Sequence, residues 1–359
     1  FAVSAFIAIS GFSLMLPVAR GDGRLPGGAW TFFKRRARRI LPPYYFAIAF
    51  SLILIWLWLG HPSGTSWDAS IPVSKTTLVV HALLLNDFWP SGYFLINGVF
   101  WSIALEWHLY FFFPALVLLA RRFGALATCL TTLAAAYLLC EVLTFVPAHD
   151  LLLPAYLPGR ITQFVEYLGL FALGMLAATV AFSAQPVWSA VRRRVPWGAV
   201  ALMAFAGVVI MFAQTGPHQI TSQVFLGADL LITVVTLSLF IAAGRAERSL
   251  ARIVLGARPI AFTGKFAYSI YLIHAPIVAA VYLCIVRPHI SGPLHLPFPA
   301  TVAVMMVTAV PIAIAAAYLF FLVCERPFLN KPLGRQTKKP RGAPAAANAT
   351  QAASAAPSA

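Results

Sequence analysis

The feature that most limits how this chain can fold is a series of apolar runs, each about as long as a membrane is thick. A helix needs about twenty predominantly apolar residues to cross the hydrocarbon core of a bilayer. With 60% hydrophobic residues overall, the chain has the composition of an integral membrane protein. We therefore predict an all-α membrane protein, a polytopic bundle with nine transmembrane helices. The runs cover residues 1–18, 44–59, 97–119, 124–146, 161–182, 198–213, 223–243, 262–286 and 300–324.

The remaining segments set the domain organisation. Residues 76–89 are apolar but short for a span, so they either form a re-entrant or interfacial helix or cross the membrane at reduced length. Residues 1–328 are predicted to form the transmembrane domain. Residues 329–359 are rich in Ala, Pro and Ser, cannot bury enough surface to fold, and are predicted to be a disordered cytoplasmic tail. Because the chain starts at Phe1 inside an apolar run, we expect a preceding helix, which makes ten in the intact protein.

The basic residues predict the orientation of the bundle. The formal charge is +16, but Lys and Arg occur in short runs between apolar segments, which argues against a nucleic-acid partner. When the predicted helices are threaded through a bilayer, 23 of the 26 basic residues fall on one side. By the positive-inside rule that side is cytoplasmic, with Lys75, Arg160 and Arg287 on the other.

The run at 97–119 carries a carboxylate, which is costly at mid-membrane and therefore requires a reason. At about 100° per residue, Ser102, Glu106 and Tyr110 share one narrow helical stripe, while Trp101 and His108 lie on nearly the opposite face. Such a stripe faces a protein interior or a wet cavity rather than lipid. Glu106 is then either a structural link between helices or a functional carboxylate, and we expect it near a groove.

A basic run, KRRARR, lies in what the sequence presents as a loop from Arg20 to Arg39, with Pro42 and Pro43 starting the next helix. The run could set topology, attract anionic headgroups, or bind phosphate through guanidinium groups. If it is helical, Arg35 and Arg38 share one face and Arg36 and Arg39 share another. Both pairs stay candidates for a phosphate-bearing ligand such as coenzyme A.

Other polar residues in apolar runs are weaker candidates. Tyr268, Tyr271 and His274 recur at three-residue spacing, which fits either a hydrogen-bonded core or a cavity wall. Structural pairing is the first interpretation for the carboxylates, and burial for the cysteines, which lack metal-ligand spacing. We predict no metal and no bound cofactor. These residues are Glu141, Glu166 and Asp229 among the carboxylates, and Cys129, Cys140, Cys284 and Cys324 among the cysteines.

Five segments together resemble the acyltransferase 3 family of bacterial membrane enzymes that O-acylate surface and secreted sugars. The resemblance covers about residues 1–328. The segments are AFIAISGF at 5–12 (family FFxxSGF), RRARRILPPYY at 35–45 (RxxR followed by Pro), WSIALEWHLY at 101–110 (WSLxxExxxY), FAYSIYLIH at 266–274 (SYxxYLxH) and CERPF at 324–328 (ERP).

This resemblance implies a ten-helix enzyme that moves an acyl group, with acetyl expected, from cytoplasmic acyl-CoA to a hydroxyl of a carbohydrate or glycosylated acceptor outside the inner membrane. It assigns Glu106 as the essential carboxylate, with Trp101, Ser102 and Tyr110 as its motif neighbours. It assigns Arg35 and Arg38 to acyl-CoA binding, with Arg36 and Arg39 possible because the motif is duplicated.

The same resemblance gives Tyr271 and His274 a structural or cavity-lining role. The family's catalytic His lies upstream of Phe1, so residues 1–359 alone are expected to be inactive. Two rival interpretations are a proton-coupled or small-molecule transporter, with Glu106, His274 and Asp229 along the path, and a non-catalytic membrane scaffold.

Overall fold

A computed structural model describes residues 1–145, 154, 157–215, 222–244 and 250–329. In this part of the chain nine helical stretches are long and apolar enough to cross a membrane, which confirms the predicted all-α bundle. The helices are α1 (Ala2–Arg20), α2 (Gly28–Leu54), α3 (Lys75–Ala82), α4 (Phe100–Phe123), α5 (Ala125–Phe145), α6 (Leu157–Phe182), α7 (Pro186–Arg194), α8 (Trp197–Gln214), α9 (Ser222–Ala243), α10 (Leu250–Leu255), α11 (Arg258–Thr263), α12 (Ala267–Val281) and α13 (Phe298–Phe320). Three of them, α2, α12 and α13, continue as π-helical turns at Ile55–Leu59, Tyr282–Ser291 and Phe321–Glu325. The predicted tail, apart from Leu329, lies outside the described residues.

The predicted basic loop from Arg20 to Arg39 is wrong for its second half, because α2 begins at Gly28. Gly27 and Gly28 have φ values of 78° and 76°, a conformation that glycine adopts without strain, and the helix starts there. Pro42 and Pro43 lie inside α2 rather than at its start. The basic run is helical because one of its faces is apolar and packs inward, while most of its cations point outward.

Residues 76–89 do not form a transmembrane helix. The eight-residue α3 rises only about 12 Å, and the backbone that follows it up to α4 is irregular apart from one 3-10 turn at Pro90–Gly92. The last carbonyls of α3 are satisfied by α2, since Tyr44 donates to His81 O at 3.0 Å and Tyr45 donates to Ala82 O at 2.8 Å. Non-helical backbone at membrane depth needs such partners from the protein.

The closest helix packing in the described bundle is between α1 and α6. A Cβ added to Gly11 would lie 2.2 Å from Phe171 O, and one added to Gly174 would lie 2.1 Å from Ala8 O. These glycines therefore let the two backbones touch, which is how small residues bring membrane helices together. The close contact at Gly11 also fixes the direction in which the preceding residue, Ser10, points.

The helices form two groups with α4 between them. One group contains α1, α5, α6, α8 and α9, which pack on one another, and the second contains α2, α12 and α13. Basic residues of α1, α4 and α7 lie at one end, here called the basic end. At the opposite end Arg287 donates to Ser63 O at 2.7 Å, and the Arg160 guanidinium lies 4.1 Å from the Tyr93 ring centroid. Two of the three minority cations thus meet the segment 60–99.

Candidate functional site

The polar stripe of α4 faces the protein interior, as the helical period predicts. Ser102, Glu106 and Tyr110 are all buried, and Glu106 is only 5% exposed. Its Oε1 accepts hydrogen bonds from the hydroxyls of Ser10 and Tyr110, each at 2.5 Å. The two hydroxyls are 3.3 Å apart, so the three side chains form one closed cluster. Two hydroxyl donors at one carboxylate oxygen hold the Glu106 side chain in a fixed orientation.

Helix α2 brings arginines to this cluster. The Arg36 guanidinium carbon lies 5.9 Å from the Tyr110 ring centroid, and the side chain is half-buried. Both Arg36 and Arg39 are close enough to interact electrostatically with Glu106. Arg35, Arg38 and Arg39 are all exposed, so Arg36 is the one half-buried arginine of the basic run. Of the two predicted pairs, Arg36 and Arg39 are thus the one whose charges reach the buried carboxylate, and only Arg36 enters the bundle.

The position of Arg36 follows from the apolar stripe of α2. Phe32 and Ile40, four residues before and after Arg36, are both buried. The Phe32 ring packs on Tyr110 and Phe113 of α4, with centroid distances of 6.1 and 5.1 Å. Because positions four apart share a helix face, this contact carries Arg36 into the bundle.

Helix α12 forms a third wall. The Tyr271 hydroxyl hydrogen-bonds to Ser102 Oγ, and the Tyr268 hydroxyl donates to Ile40 O at 3.2 Å. In contrast, the Nδ1 atom of His274 faces backbone carbonyls of its own helix and lies 2.9 Å from Tyr271 O. The structure thus joins Tyr271 to the α4 stripe, while the described contacts of His274 stay within α12.

The closing ERP segment adds a second buried carboxylate near the same arginines. Glu325 is 2% exposed and accepts a hydrogen bond from Ser269 of α12. Arg39 interacts electrostatically with Glu325 as well as with Glu106. The sequence interpretation assigned no partner to Glu325.

The opposite face of α4 holds a different polar cluster. His108 Nδ1 lies 2.9 Å from Asp87 Oδ2, and Trp101 stacks on Tyr93 with ring centroids 5.0 Å apart. Asp87 Oδ1 and both side-chain polar atoms of Asn86 are buried and have no partner in the described structure. Trp101 therefore anchors the segment before α4 and does not touch the Glu106 cluster.

Another carboxylate meets α1 near its start. Ser4 donates a hydrogen bond to Asp229 Oδ1, and both residues are buried. This contact gives Asp229 the partner that the structural interpretation requires, and its role stays a prediction. Among the described residues no group of three or more His, Cys, Asp or Glu side chains is placed to hold a metal ion.

One groove in the described part of the chain, of about 600 Å³, is lined by Val117 and Arg121, further along α4 toward the basic end, and not by Glu106. Beside the Glu106 carboxylate lie the hydroxyls of Ser10 and Tyr110. That Glu106 borders a groove stays a prediction.

Comparison with known proteins bears on what this arrangement does. A family model described as an acyltransferase domain matches residues 1–318 of the chain. Neither the curated proteins nor the solved structures contain a match to the chain.

Proposed function

The chain belongs to the acyltransferase 3 family, and we propose that it is an O-acyltransferase of the bacterial inner membrane. The donor is acyl-CoA, most simply acetyl-CoA, bound at the basic, cytoplasmic end. The acceptor is a hydroxyl of a carbohydrate or glycosylated molecule at the outer face. An enzyme that spans the bilayer suits this reaction because donor and acceptor occupy opposite sides.

The observation that supports this proposal most is the meeting of Glu106, Tyr110 and Arg36 inside the bundle. In the proposed reaction the acceptor oxygen forms a bond to the thioester carbon and the carbon–sulfur bond breaks. The acceptor proton passes to a base, and the CoA thiolate leaves and is protonated. Hydrogen-bond donors near the carbonyl stabilise the negative charge that develops on its oxygen.

In this scheme Glu106 orients the base or tunes its proton affinity, and Ser10 and Tyr110 hold its carboxylate in place. Arg36 and Arg39 bind donor phosphates, for which guanidinium groups are suited. Ser102 and Tyr271 tie α4 to α12 and keep the stripe in register. The base itself is a histidine, as the family resemblance implies.

The transporter alternative draws on one specific feature. Two buried carboxylates, Asp229 and Glu106, both contact α1, through Ser4 and Ser10. Those serines are six residues apart, a rise of about 9 Å, which is too far for direct proton exchange between the carboxylates and requires intervening groups. A transporter consumes no thioester, so the two functions are separable by product analysis.

The deciding experiment is release of free CoA in proteoliposomes that contain the full-length protein and acetyl-CoA. We expect CoA release that depends on added acceptor and falls with Glu106→Gln. The matched control is Glu141→Gln, which removes a half-buried carboxylate of α5 outside the cluster. Acetyl-CoA consumption unaffected by the protein, together with proton or solute flux, would instead support transport. The expected inactivity of residues 1–359 alone stays a prediction that the same assay checks.

A further inference from the structure

The groove at the basic end has features that neither the Glu106 cluster nor the basic run of α2 explains. It measures about 600 Å³ and lies where the ends of α1, α4 and α6 meet the starts of α5 and α7. A volume in this range suits a small organic ligand. Its lining includes Arg20, Asp22, Val117, Arg121, Gln185 and Trp188.

Two arginines at the groove carry positive charge that no described carboxylate neutralises. The Arg20 guanidinium carbon lies 4.2 Å from the Phe182 ring centroid, which holds it in place without pairing its charge. The side chain of Arg121 runs past Gly23. Within the described residues the one carboxylate that lines the groove, Asp22, is paired with Arg24 at 3.7 Å. The mouth of the groove is therefore cationic.

The floor of the groove is apolar. Met15, Val117 and Ala120 line it, and Met15 and Ala120 also border a second pocket of about 10 Å³ between α5 and α6. That pocket is lined mainly by apolar groups, including Cys129 and Met175. A cationic mouth above an apolar floor matches a ligand with an anionic head and a hydrocarbon part.

One wall of the groove is held firmly. Arg192 of α7 donates to Ala181 O at 2.7 Å and to Val180 O at 3.2 Å, so it ties α7 to the end of α6. This bond keeps Trp188, an aromatic residue of the kind that lies at membrane–water interfaces, against the groove.

We propose that this groove binds a phosphate-bearing amphiphile, with Arg20 and Arg121 on the phosphate and the apolar floor against its chain. Guanidinium groups bind phosphate oxygens in pairs of charge-assisted hydrogen bonds. Two molecules share this chemistry at the basic end, an anionic phospholipid of the adjoining leaflet and an acyl-CoA. The groove is separate from the Glu106 cluster, because Arg121 is fifteen residues further along α4, a rise of about 22 Å. A phospholipid site here is independent of the proposed acyltransferase function, whereas an acyl-CoA site rests on it.

The test measures binding of two probes to the full-length protein in an uncharged detergent. The first is phosphatidylglycerol, compared with diacylglycerol of the same chains, by native mass spectrometry. The second is acetyl-CoA, compared with S-acetylpantetheine, by calorimetry. The groove variant is Arg20→Gln with Arg121→Gln. The matched control is Arg122→Gln with Arg194→Gln, which removes the same charge from exposed positions at the same end of the bundle but outside the groove.

We expect the groove variant to lower the binding affinity for at least one phosphate-bearing probe about tenfold or more. The control variant should change that affinity less than about twofold. Ala125→Trp, which keeps both arginines but fills the groove, should also lower the affinity for that probe. A loss confined to phosphatidylglycerol identifies a lipid site, and a loss confined to acetyl-CoA identifies a donor site. Equal losses in both arginine variants, or no loss in the groove variant and in Ala125→Trp, would overturn the proposal. Melting curves show whether each variant is folded, and the space-filling variant tests the site even if the double variant is not.

Discussion

Two buried carboxylates lie on opposite sides of α4, Glu106 on the helix itself and Asp87 in the segment before it. They differ in how many hydrogen-bond partners their oxygens have. Glu106 is 5% exposed and Asp87 is 6% exposed. The Glu106 oxygen accepts two hydroxyl hydrogen bonds and has arginines nearby. Asp87 is paired with His108 through one oxygen, while its second oxygen and the amide of Asn86 lack partners in the described structure.

This difference separates a carboxylate held by several helices from an anchor for the segment before α4. A buried polar atom left without a partner costs about 1–3 kcal/mol, so folded proteins rarely keep several together. The Glu106 cluster draws on α1, α2 and α4, which makes its geometry dependent on the whole bundle. The Asp87 cluster mainly attaches the segment before α4 to that helix. The comparison leads to four predictions.

The largest expected difference is in turnover. Glu106→Gln keeps the shape of the side chain but removes its charge, so we expect CoA release by the full-length enzyme to fall about 100-fold or more. Asp87→Asn should change it less than about threefold. The measurement is the rate of CoA release at saturating acetyl-CoA. Comparable losses in the two variants would show that the two faces of α4 do not differ in function.

Stability should also distinguish the clusters. Ser10→Ala removes one donor to Glu106 and should lower the free energy of unfolding by about 2 kcal/mol, the range for hydrogen bonds to charged groups. Ser13→Ala is the control, because Ser13 is exposed and its hydroxyl bonds only to Ser10 O in its own helix. Equilibrium unfolding in mixed micelles provides the values. A loss in Ser13→Ala as large as in Ser10→Ala would mean that Glu106 does not need the Ser10 hydroxyl.

Donor binding tests which arginines belong to the Glu106 cluster. Arg36→Ala with Arg39→Ala should weaken acetyl-CoA binding about tenfold, since each removes a charge-assisted contact. Arg35→Ala with Arg38→Ala, which changes the exposed face of the same turns, should have less than about a twofold effect. Calorimetric titration of the two double variants with acetyl-CoA decides which arginine pair binds the donor. A stronger effect of the second double would restore the pair that family resemblance favours.

The smallest expected effect concerns Asn86. Replacing it with leucine removes two buried polar atoms that have no partner among the described residues, so stability should change by less than about 0.5 kcal/mol or rise. Asn97→Leu is the contrasting control, because the Asn97 amide donates to Leu272 O at 2.9 Å and to Ser51 Oγ at 3.3 Å. We expect it to cost about 2 kcal/mol. If the two variants were equally destabilised, Asn86 would have a partner that the structure does not show.

Helical periodicity predicted which residues share a face but not what each face meets. It placed Ser102, Glu106 and Tyr110 together, and all three are buried. It could not identify Ser10 as the partner of Glu106, because 96 residues separate them along the chain. The pairing of His108 with Asp87 is a similar long-range contact, made across non-helical backbone that has no period to follow.

The start of α2 was predicted wrongly for a different reason. A dense run of cations is typical of a loop and two prolines are typical of a helix start, so composition alone places the helix start too late. The signal was nevertheless present: Phe32, Arg36 and Ile40 recur every four residues through the basic run. That spacing predicts a helix with Arg36 on its buried side. The roles of the four arginines in binding stay a prediction.

The glycine contact between α1 and α6 has a consequence for motion during the proposed reaction. Because Gly11 and Gly174 place backbone directly on backbone, no side chain lies between the helices at these two points to change rotamer and let them slide. We expect these helices to stay fixed relative to each other. The α2, α12 and α13 group instead meets α4 through hydroxyl contacts and aromatic rings, which break and re-form at low cost. A passage for an acyl group between the two sides of the membrane would therefore open along α4, by displacement of that group from a stationary α1–α6 pair.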